Sequence, residues 1–352
     1  MGKVLRLFLV VFLAFGIIFS SGTLLGCKRA SDVISSEETA GTEVTEGVSL
    51  EGEQAVEEEE ESVTKQESSK VIEVIDGLGN KITLEKPVEK IIALAPSALE
   101  ILDGLGAMDK VVGVDNWSVQ MGEPLAKGLE GFGDVNGLNV ERIAEVNPDI
   151  IMTISGGPEE DYQKVKELGI QIYIVDAKDF EGVYREILNV GKICNLEGKA
   201  TEVVDAMKQK VEEIYSKVSN LKEDEKPKVF YEVWNDPLMS AGKNTFINEF
   251  IEKVGGINIV AKDGLEGWPE YSVEKLIENN PDIIIAPVSL ASDPEVILSD
   301  PRFSTIAAVL NKKVYIVPDN PVSRPSQNII KGLEMFAKAI HPEIFGEFEI
   351  IE

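Results

Sequence analysis

Residues 139–151 read NVERIAEVNPDII and residues 272–284 read SVEKLIENNPDII, so the chain contains one pattern twice. Each copy begins with a residue typical of a helix N-cap and continues with apolar residues at helical spacing. Each then ends in Asn-Pro-Asp and an apolar run, which predicts a turn and a buried strand. A loop with proline and acids follows both copies, and then another strand. The copies are too far apart for a solenoid repeat, so they predict two similar lobes.

Strands alternate with helices around the first copy. Residues 91–95 form a short apolar run that ends at Pro96, and the stretch from Ser97 to Glu100 matches a capping box at the start of a helix. Val111–Val114 has the pattern of the next strand. This alternation predicts an α/β fold with mostly parallel sheets. We expect one lobe over residues 71–180 and the second over residues 226–352.

The segment between the lobes, residues 181–225, carries apolar residues at largely helical spacing among many Lys and Glu. A single long helix that joins the lobes is the simplest interpretation. Two shorter helices with a break near Asn195–Gly198 are the alternative.

Composition excludes several classes of function. The chain has 62 acidic residues, 34 basic ones and a formal net charge of −28, which argues against nucleic-acid binding. Two Cys and one His leave no disulfide framework and no His-rich or Cys-based metal site. The sequence has no Gly-x-Ser-x-Gly elbow and no phosphate-binding loop, so we predict no enzyme, no catalytic residue and no metal-ligating residue.

The N-terminal 70 residues have the composition of a targeting signal followed by a spacer. Residues 1–27 combine a positive start, the apolar run Leu7–Phe19 and the sequence Leu24–Cys27, which is similar to a bacterial lipobox. The run is shorter than the ~20 residues that a spanning helix needs. We expect a signal peptide that leaves Cys27 lipidated. Residues 28–70 are acidic and lack apolar periodicity, which predicts a disordered tether.

Residues 71–345 resemble the substrate-binding proteins of ABC importers for vitamin B12, ferric siderophores and haem. The resemblance implies two α/β lobes bridged by one long helix, a ligand cleft between the lobes, and a monomer held on the outer face of the cytoplasmic membrane near an ABC permease and its ATPase. The motifs that carry it are Asp76–Leu84, Ile91–Gly113, Asn139–Ile151, Tyr231–Gly242, Thr245–Gly256, Ser272–Ile285 and Arg324–Pro342.

Ligands of open α/β sheets lie beyond the carboxyl ends of the strands, so the loops there hold the candidate contacts. All three Trp fall in such loops, and their flat rings suit a corrin, a porphyrin or an aryl siderophore. Arg324 matches an arginine position of the family and could pair with anionic groups, or it could tie down its own loop. The predicted ligand-binding residues are Pro96, Ser97, Trp117, Trp234, Trp268, Tyr271 and Arg324.

The resemblance also implies one docking glutamate on each lobe, paired with arginines of the permease. Glu159 (or neighbouring Glu160) and Glu295 occupy equivalent positions of the two repeats. Acids are also favoured in the first turn of a helix by its dipole, which is the structural alternative.

The expected ligand is a metal chelate, either a ferric siderophore or a corrinoid, with no resident cofactor. Many relatives carry a second arginine soon after the position of Arg324, where this chain has Ser326-Gln327-Asn328. This difference weakens the case for a strongly anionic tris-catecholate. The alternatives are a haem receptor of the same family and a surface ligand sensor or adhesin without a permease.

Overall fold

The computed structural model describes residues 71–351. The predicted signal peptide, Cys27 and the acidic tether lie outside this range. Within it, no helix has the length and apolar character needed to cross a membrane.

The N-terminal lobe is built on a four-stranded parallel sheet. Its strand order is β4 (Val111–Val114), β3 (Ile91–Ala93), β7 (Ile150–Ile154) and β8 (Gln171–Val175). The antiparallel pair β1–β2 precedes it. The elements of this lobe are β1 (Ile72–Ile75), β2 (Lys81–Leu84), β3 (Ile91–Ala93), α1 (Pro96–Leu105), β4 (Val111–Val114), α2 (Asn116–Met121), β5 (Gly133–Asp134), β6 (Gly137–Leu138), α3 (Val140–Val146), β7 (Ile150–Ile154), α4 (Glu159–Glu167) and β8 (Gln171–Val175).

Two helices follow, α5 (Phe180–Cys194) and α6 (Glu197–Val218). The expectation of one long helix over the whole segment was therefore wrong, and the alternative of a break near Asn195 is what the structure has. Asn195 adopts a left-handed conformation, with φ of 59°, and its N–H closes the end of α5. The longer helix α6 is the bridge, because it contacts α1 in the N-terminal lobe and helices of the C-terminal lobe.

The C-terminal lobe repeats the architecture. Its sheet has the strand order β10 (Leu238–Ser240), β9 (Lys228–Asn235), β12 (Ile283–Pro287) and β13 (Val314–Val317). The last three of these strands are parallel, and β11 (Ile257–Asn258) also pairs with β9. The elements are β9 (Lys228–Asn235), β10 (Leu238–Ser240), α7 (Phe246–Lys253), β11 (Ile257–Asn258), α8 (Ile259–Lys262), α9 (Val273–Asn279), β12 (Ile283–Pro287), α10 (Glu295–Leu298), α11 (Ala307–Leu310), β13 (Val314–Val317), α12 (Asn320–Ser323), α13 (Ile329–Ile340) and α14 (Pro342–Phe345). The predicted α/β class with two similar lobes is confirmed.

Side chains of alternate strand residues enter different cores. In β12, Ile283 and Ile285 belong to a core that both lobes share through the connecting helices, whereas Ile284 and Ala286 belong to a core private to the C-terminal lobe. The N-terminal lobe divides in the same way, with Ile91 and Ala93 on the shared side and Ile92 on the private side. Because one face of each sheet is buried in common apolar packing, the lobes are tied together more firmly than a flexible linker would allow.

The residues that the two copies share at the ends of their helices have structural roles. Asn139 and Ser272 cap their helices by accepting hydrogen bonds from backbone N–H groups one turn later, at 3.1 and 3.2 Å. Asn147 and Asn280 end the helices in left-handed conformations. The Asp of each Asn-Pro-Asp then accepts from the backbone N–H that begins a neighbouring strand, as Asp282 does from Lys228 at 2.8 Å. Each copy therefore fixes one helix and the register of one strand.

Candidate functional site

The carboxyl ends of the two sheets meet at Arg324, which follows β13 and α12. Its guanidinium donates to Glu100 in α1 at 3.0 Å and to both carboxylate oxygens of Glu123, which follows α2, at 2.5 and 3.3 Å. Both glutamates belong to the N-terminal lobe, so Arg324 reaches across the gap between the lobes. Only 12 % of its side chain is exposed.

Residues next to Arg324 extend this contact. The Ser326 hydroxyl and the Asn328 amide, the latter at 3.0 Å, donate to the second oxygen of Glu100. The Gln327 amide donates to the Glu100 carbonyl at 2.7 Å, and it lies where a Cβ on Gly104 would stand. We call Arg324, Glu100, Glu123, Ser326 and Asn328 the interlobe clasp. It joins the segment after the last strand to helix α1 and to the loop after α2 in the other lobe.

The charges around Arg324 are unbalanced. Burial works against the charge of the guanidinium, but its hydrogen bonds to Glu123 and Glu100 outweigh this effect and raise the pKa of Arg324. Two further carboxyl groups, Asp115 and Asp319, lie within its electrostatic reach, and burial raises the pKa of both. One arginine therefore faces four carboxyl groups. The interpretation of Arg324 as a residue that ties down its loop fits these contacts.

The three Trp lie at different places around the carboxyl ends. Trp117, in the first turn of α2, has the Arg324 guanidinium 5.7 Å from its ring centroid. Trp234 lies one residue before the end of β9, and its indole N–H donates to the Asp236 carbonyl at 2.8 Å. Trp268 is half-buried and packs against the shared core, in a segment that is hydrogen-bonded to β10. The structure therefore brings Trp117 and Arg324 together, while Trp234 and Trp268 lie on the C-terminal lobe.

Tyr271 does not face the gap between the lobes. Its side chain is buried in the private core of the C-terminal lobe, with its ring centroid 5.7 Å from that of Phe230 and the two rings tilted by 35°. Its hydroxyl donates to Asp263 at 2.7 Å and accepts from Asn279 at 2.7 Å. The prediction of Tyr271 as a ligand contact was wrong, because both the ring and the hydroxyl serve the core.

Pro96 and Ser97 lie in the first turn of α1, one turn before Glu100. The helix begins at Pro96 with Ala95 as its N-cap and no side-chain cap, so the capping-box prediction for Ser97 was wrong. Ser97 is buried, and Pro96 is half-buried. This helix start therefore stands beside the interlobe clasp.

Glu100 and Glu123 are the functional candidates that the sequence interpretation missed. Glu100 stands between Leu99 and Ile101 in a stretch of otherwise apolar residues, and it is 7 % exposed. A carboxylate in the apolar stripe of a helix signals a buried partner, because an unpaired buried charge is costly. That signal was present in the sequence, but the partner, Arg324, is distant in the chain.

A second buried carboxylate lies at the end of β9. Glu232 is fully buried, and its Oε2 atom has no hydrogen-bond partner among the described residues. Burial raises the pKa of Glu232 to about 7, against an opposing hydrogen bond from Asn235 and the charge of Arg302. Arg302 in turn binds Asp300 and the Asn235 side chain, at 2.6 and 2.7 Å. This network fixes the strand end that carries Trp234.

Glu159 and Glu295 are exposed and begin α4 and α10, each after a strand that ends at the same rim of its sheet. Glu159 lines a surface cavity beside the edge strand β8, and Pro294, the residue before Glu295, lines another beside the edge strand β13. The cavity of about 360 Å³ is lined by Glu159 and Lys166, and the cavity of about 290 Å³ by Pro294 and Tyr315. The two glutamates thus occupy equivalent, accessible positions.

His341, the one histidine of the chain, follows α13 as its C-cap and is buried. Its ring nitrogens lie 3.0 Å from Glu343 and 3.4 Å from the Gly255 carbonyl. No group of three or more metal-ligating side chains occurs within residues 71–351.

Two similar α/β lobes, bridged by a helix and in contact at the carboxyl ends of their sheets, define a two-lobed ligand-binding protein. Residues 91–321 match the family described as periplasmic binding protein, so the chain belongs to that family. This confirms the resemblance found in the sequence. The family binds small molecules and acts with ABC transporters, which locates the folded region outside the cytoplasm.

Individual relatives agree with this assignment. The chain is 32 % identical over 296 residues to the uncharacterized ABC transporter substrate-binding lipoprotein YvrC of Bacillus subtilis, which covers 82 % of this chain and 92 % of the relative. It is 24 % identical over 272 residues to a cobalamin-binding protein of Halobacterium salinarum, covering 76 % of this chain and 73 % of the relative. The crystal structure of a possible iron-binding (periplasmic solute-binding) protein from Staphylococcus epidermidis superposes with a TM-score of 0.63 at 31 % identity, covering 73 % of this chain and all of the other.

Proposed function

We propose that this chain captures a metal chelate, a ferric siderophore or a corrinoid, and delivers it to an ABC importer without catalysing a reaction. One observation carries the proposal: Arg324 and Trp117 meet where the carboxyl ends of the two sheets face each other. That is where the ligand of an open α/β protein binds. The relatives named for cobalamin and iron support the choice of a chelate.

The aromatic side chains around this gap suit a large, flat or aryl-rich ligand. Trp117 contributes from the N-terminal lobe, and Trp234 and Trp268 contribute from the C-terminal lobe. Indole rings gain dispersion and stacking energy against a corrin or aryl face. We infer that ligand contacts come from Trp117, Trp234, Trp268 and Arg324, with Pro96 and Ser97 at the helix start beside them.

Haem is the weaker ligand candidate. The one histidine of the chain is buried, with both ring nitrogens facing protein atoms. A haem would therefore have to bind without histidine as its axial ligand.

The proposed partners follow from the same assignment. We infer that Glu159 and Glu295 meet arginines of a permease, because charge pairs at two equivalent sites would fix the orientation of docking. We also infer that the protein acts as a monomer, anchored by lipidated Cys27 on the outer face of the cytoplasmic membrane. A Cys27→Ala variant should appear in the medium or in the soluble envelope fraction. Retention of that variant in the membrane would contradict the lipid anchor.

Binding and coupling can be tested together. The full chain, purified in detergent, should quench its Trp fluorescence on addition of cyanocobalamin, ferrichrome or ferric enterobactin, and should keep the chelate through gel filtration. With its permease and ATPase in liposomes, the loaded protein should stimulate ATP hydrolysis. Failure to bind any of these chelates would overturn the proposed ligand class, and binding without stimulation would favour a sensor or adhesin.

A further inference from the structure

In the interlobe clasp, the positive charge of Arg324 is already paired with carboxylates of the protein. Arg324 pairs with Glu100 and Glu123, and all three side chains are less than one-fifth exposed. Two carboxylates and one guanidinium leave the group with a net negative charge. Asp115 and Asp319 add negative charge to whatever extent they ionise.

We propose that the clasp makes Glu100 and Glu123 specificity-determining residues, and that they select a neutral or cationic chelate over an anionic one. This inference rests on the proposed function, because it concerns the ligand of the same gap. A trianionic ferric tris-catecholate would have to displace two carboxylates from Arg324 or lie beside their surplus charge. Either arrangement costs binding energy, whereas a neutral corrinoid or a cationic ferric hydroxamate meets no such repulsion.

The hydrogen bonds of the clasp strengthen this selection. Ser326 and Asn328, which follow Arg324 in the chain and are themselves neutral, both donate to Glu100. The Glu100 carboxylate therefore receives donors on both oxygens, and these hydrogen bonds hold it in place beside Arg324. Arg324 is likewise held by two partners, so an incoming anion must compete with both.

The test compares three chelates on the full chain in detergent: cyanocobalamin, the cationic ferrioxamine B and trianionic ferric enterobactin. We expect cyanocobalamin or ferrioxamine B to bind about a hundredfold more tightly than ferric enterobactin at low salt. Glu123→Gln removes one negative charge but keeps an oxygen toward Arg324. It should raise the affinity for ferric enterobactin about tenfold or more and leave that for the preferred chelate within about twofold.

Glu100→Gln should also raise the affinity for ferric enterobactin. If that variant fails to fold, the Glu123→Gln variant still tests the inference, because Glu123 is less buried. Glu212→Gln, an exposed site on α6, removes the same formal charge and should change no affinity. Wild-type protein that binds ferric enterobactin most tightly would overturn this inference and leave the proposed function intact, as would a Glu123→Gln variant with unchanged anion affinity. Binding of none of the three chelates would overturn the proposed function itself, and the inference with it.

Discussion

Gly191 in α5 lies so close to Ala200 in α6 that a Cβ on the glycine would stand 2.4 Å from the alanine methyl carbon. The two helices fold back on each other after Asn195, and this contact lets their axes approach. The hairpin matters because α6 also contacts helices of both lobes. Its packing therefore helps to set how rigidly the lobes are joined.

A Gly191→Ala substitution should destabilise the protein by about 1–3 kcal/mol, because the added methyl group overpacks a buried helix contact. Gly198→Ala, in the exposed first turn of α6 with open space around it, provides the matched control. That change should be neutral or stabilise by about 0.5 kcal/mol, since it restricts the unfolded chain. Urea denaturation of both variants measures the difference. Equal effects at the two glycines would contradict the close-packing explanation.

The helix hairpin also shows how much of the fold the spacing of apolar residues can predict. Apolar spacing predicted helix through this segment, but no periodicity distinguishes one helix from two that pack antiparallel. The signal lay in single residues, namely Asn195, which tolerates the left-handed conformation, and Gly191, which permits close approach. By contrast, the repeat at 139–151 and 272–284 predicted its helix, turn and strand, because the helix caps are set by residues within the repeat itself.

The candidate site was harder to predict, because its contacts join residues that are far apart in the chain. Arg324 could be picked out from its motif, but its partners are more than two hundred positions away in the chain. Tyr271 was misplaced because its neighbours Trp268 and Glu270 suggest a loop, whereas the pairing with β10 turns its ring into the core. Such facts depend on tertiary packing, which one sequence does not reveal.

Trp268→Ala should weaken chelate binding about thirtyfold, equivalent to about 2 kcal/mol, because it removes the aromatic contact with the ligand that we propose for the C-terminal lobe. Trp268→Phe should lose less, since a smaller ring still stacks and still packs against the shared core. Titration of the full chain with the preferred chelate, followed by absorption of the bound chromophore, measures both affinities. An unchanged affinity in the alanine variant would remove Trp268 from the site.

Glu159→Lys and Glu295→Lys should each reduce stimulation of the importer ATPase about tenfold or more, because each reverses a charge that we propose pairs with a permease arginine. Chelate affinity should stay unchanged, since both glutamates are exposed at helix starts. Glu212→Lys on α6 makes the same charge change elsewhere and should retain full stimulation. If Glu160→Lys alone lowers stimulation while Glu159→Lys does not, the neighbouring residue is the docking site on the N-terminal lobe.

Glu232→Gln should make the protein more stable at alkaline pH. Burial raises the folded-state pKa of Glu232 to about 7 from its ordinary value of 4.5, so the folded protein binds a proton that the unfolded chain releases between those values. Stability must therefore fall as the pH rises through this window, by up to about 3 kcal/mol from this group. The glutamine variant has no proton to lose and keeps an oxygen for Asn235.

Urea denaturation at pH 4.5 and pH 8 separates this effect from others. The variant should match wild type within about 1 kcal/mol at pH 4.5 and exceed it by about 2–3 kcal/mol at pH 8. Glu212→Gln, which removes an exposed carboxylate, should show no such pH-dependent gain. A Glu232→Gln variant that is less stable than wild type at pH 8 would mean that the ionised carboxylate is stabilised in the fold. The charge of Arg302 would then outweigh the burial of Glu232.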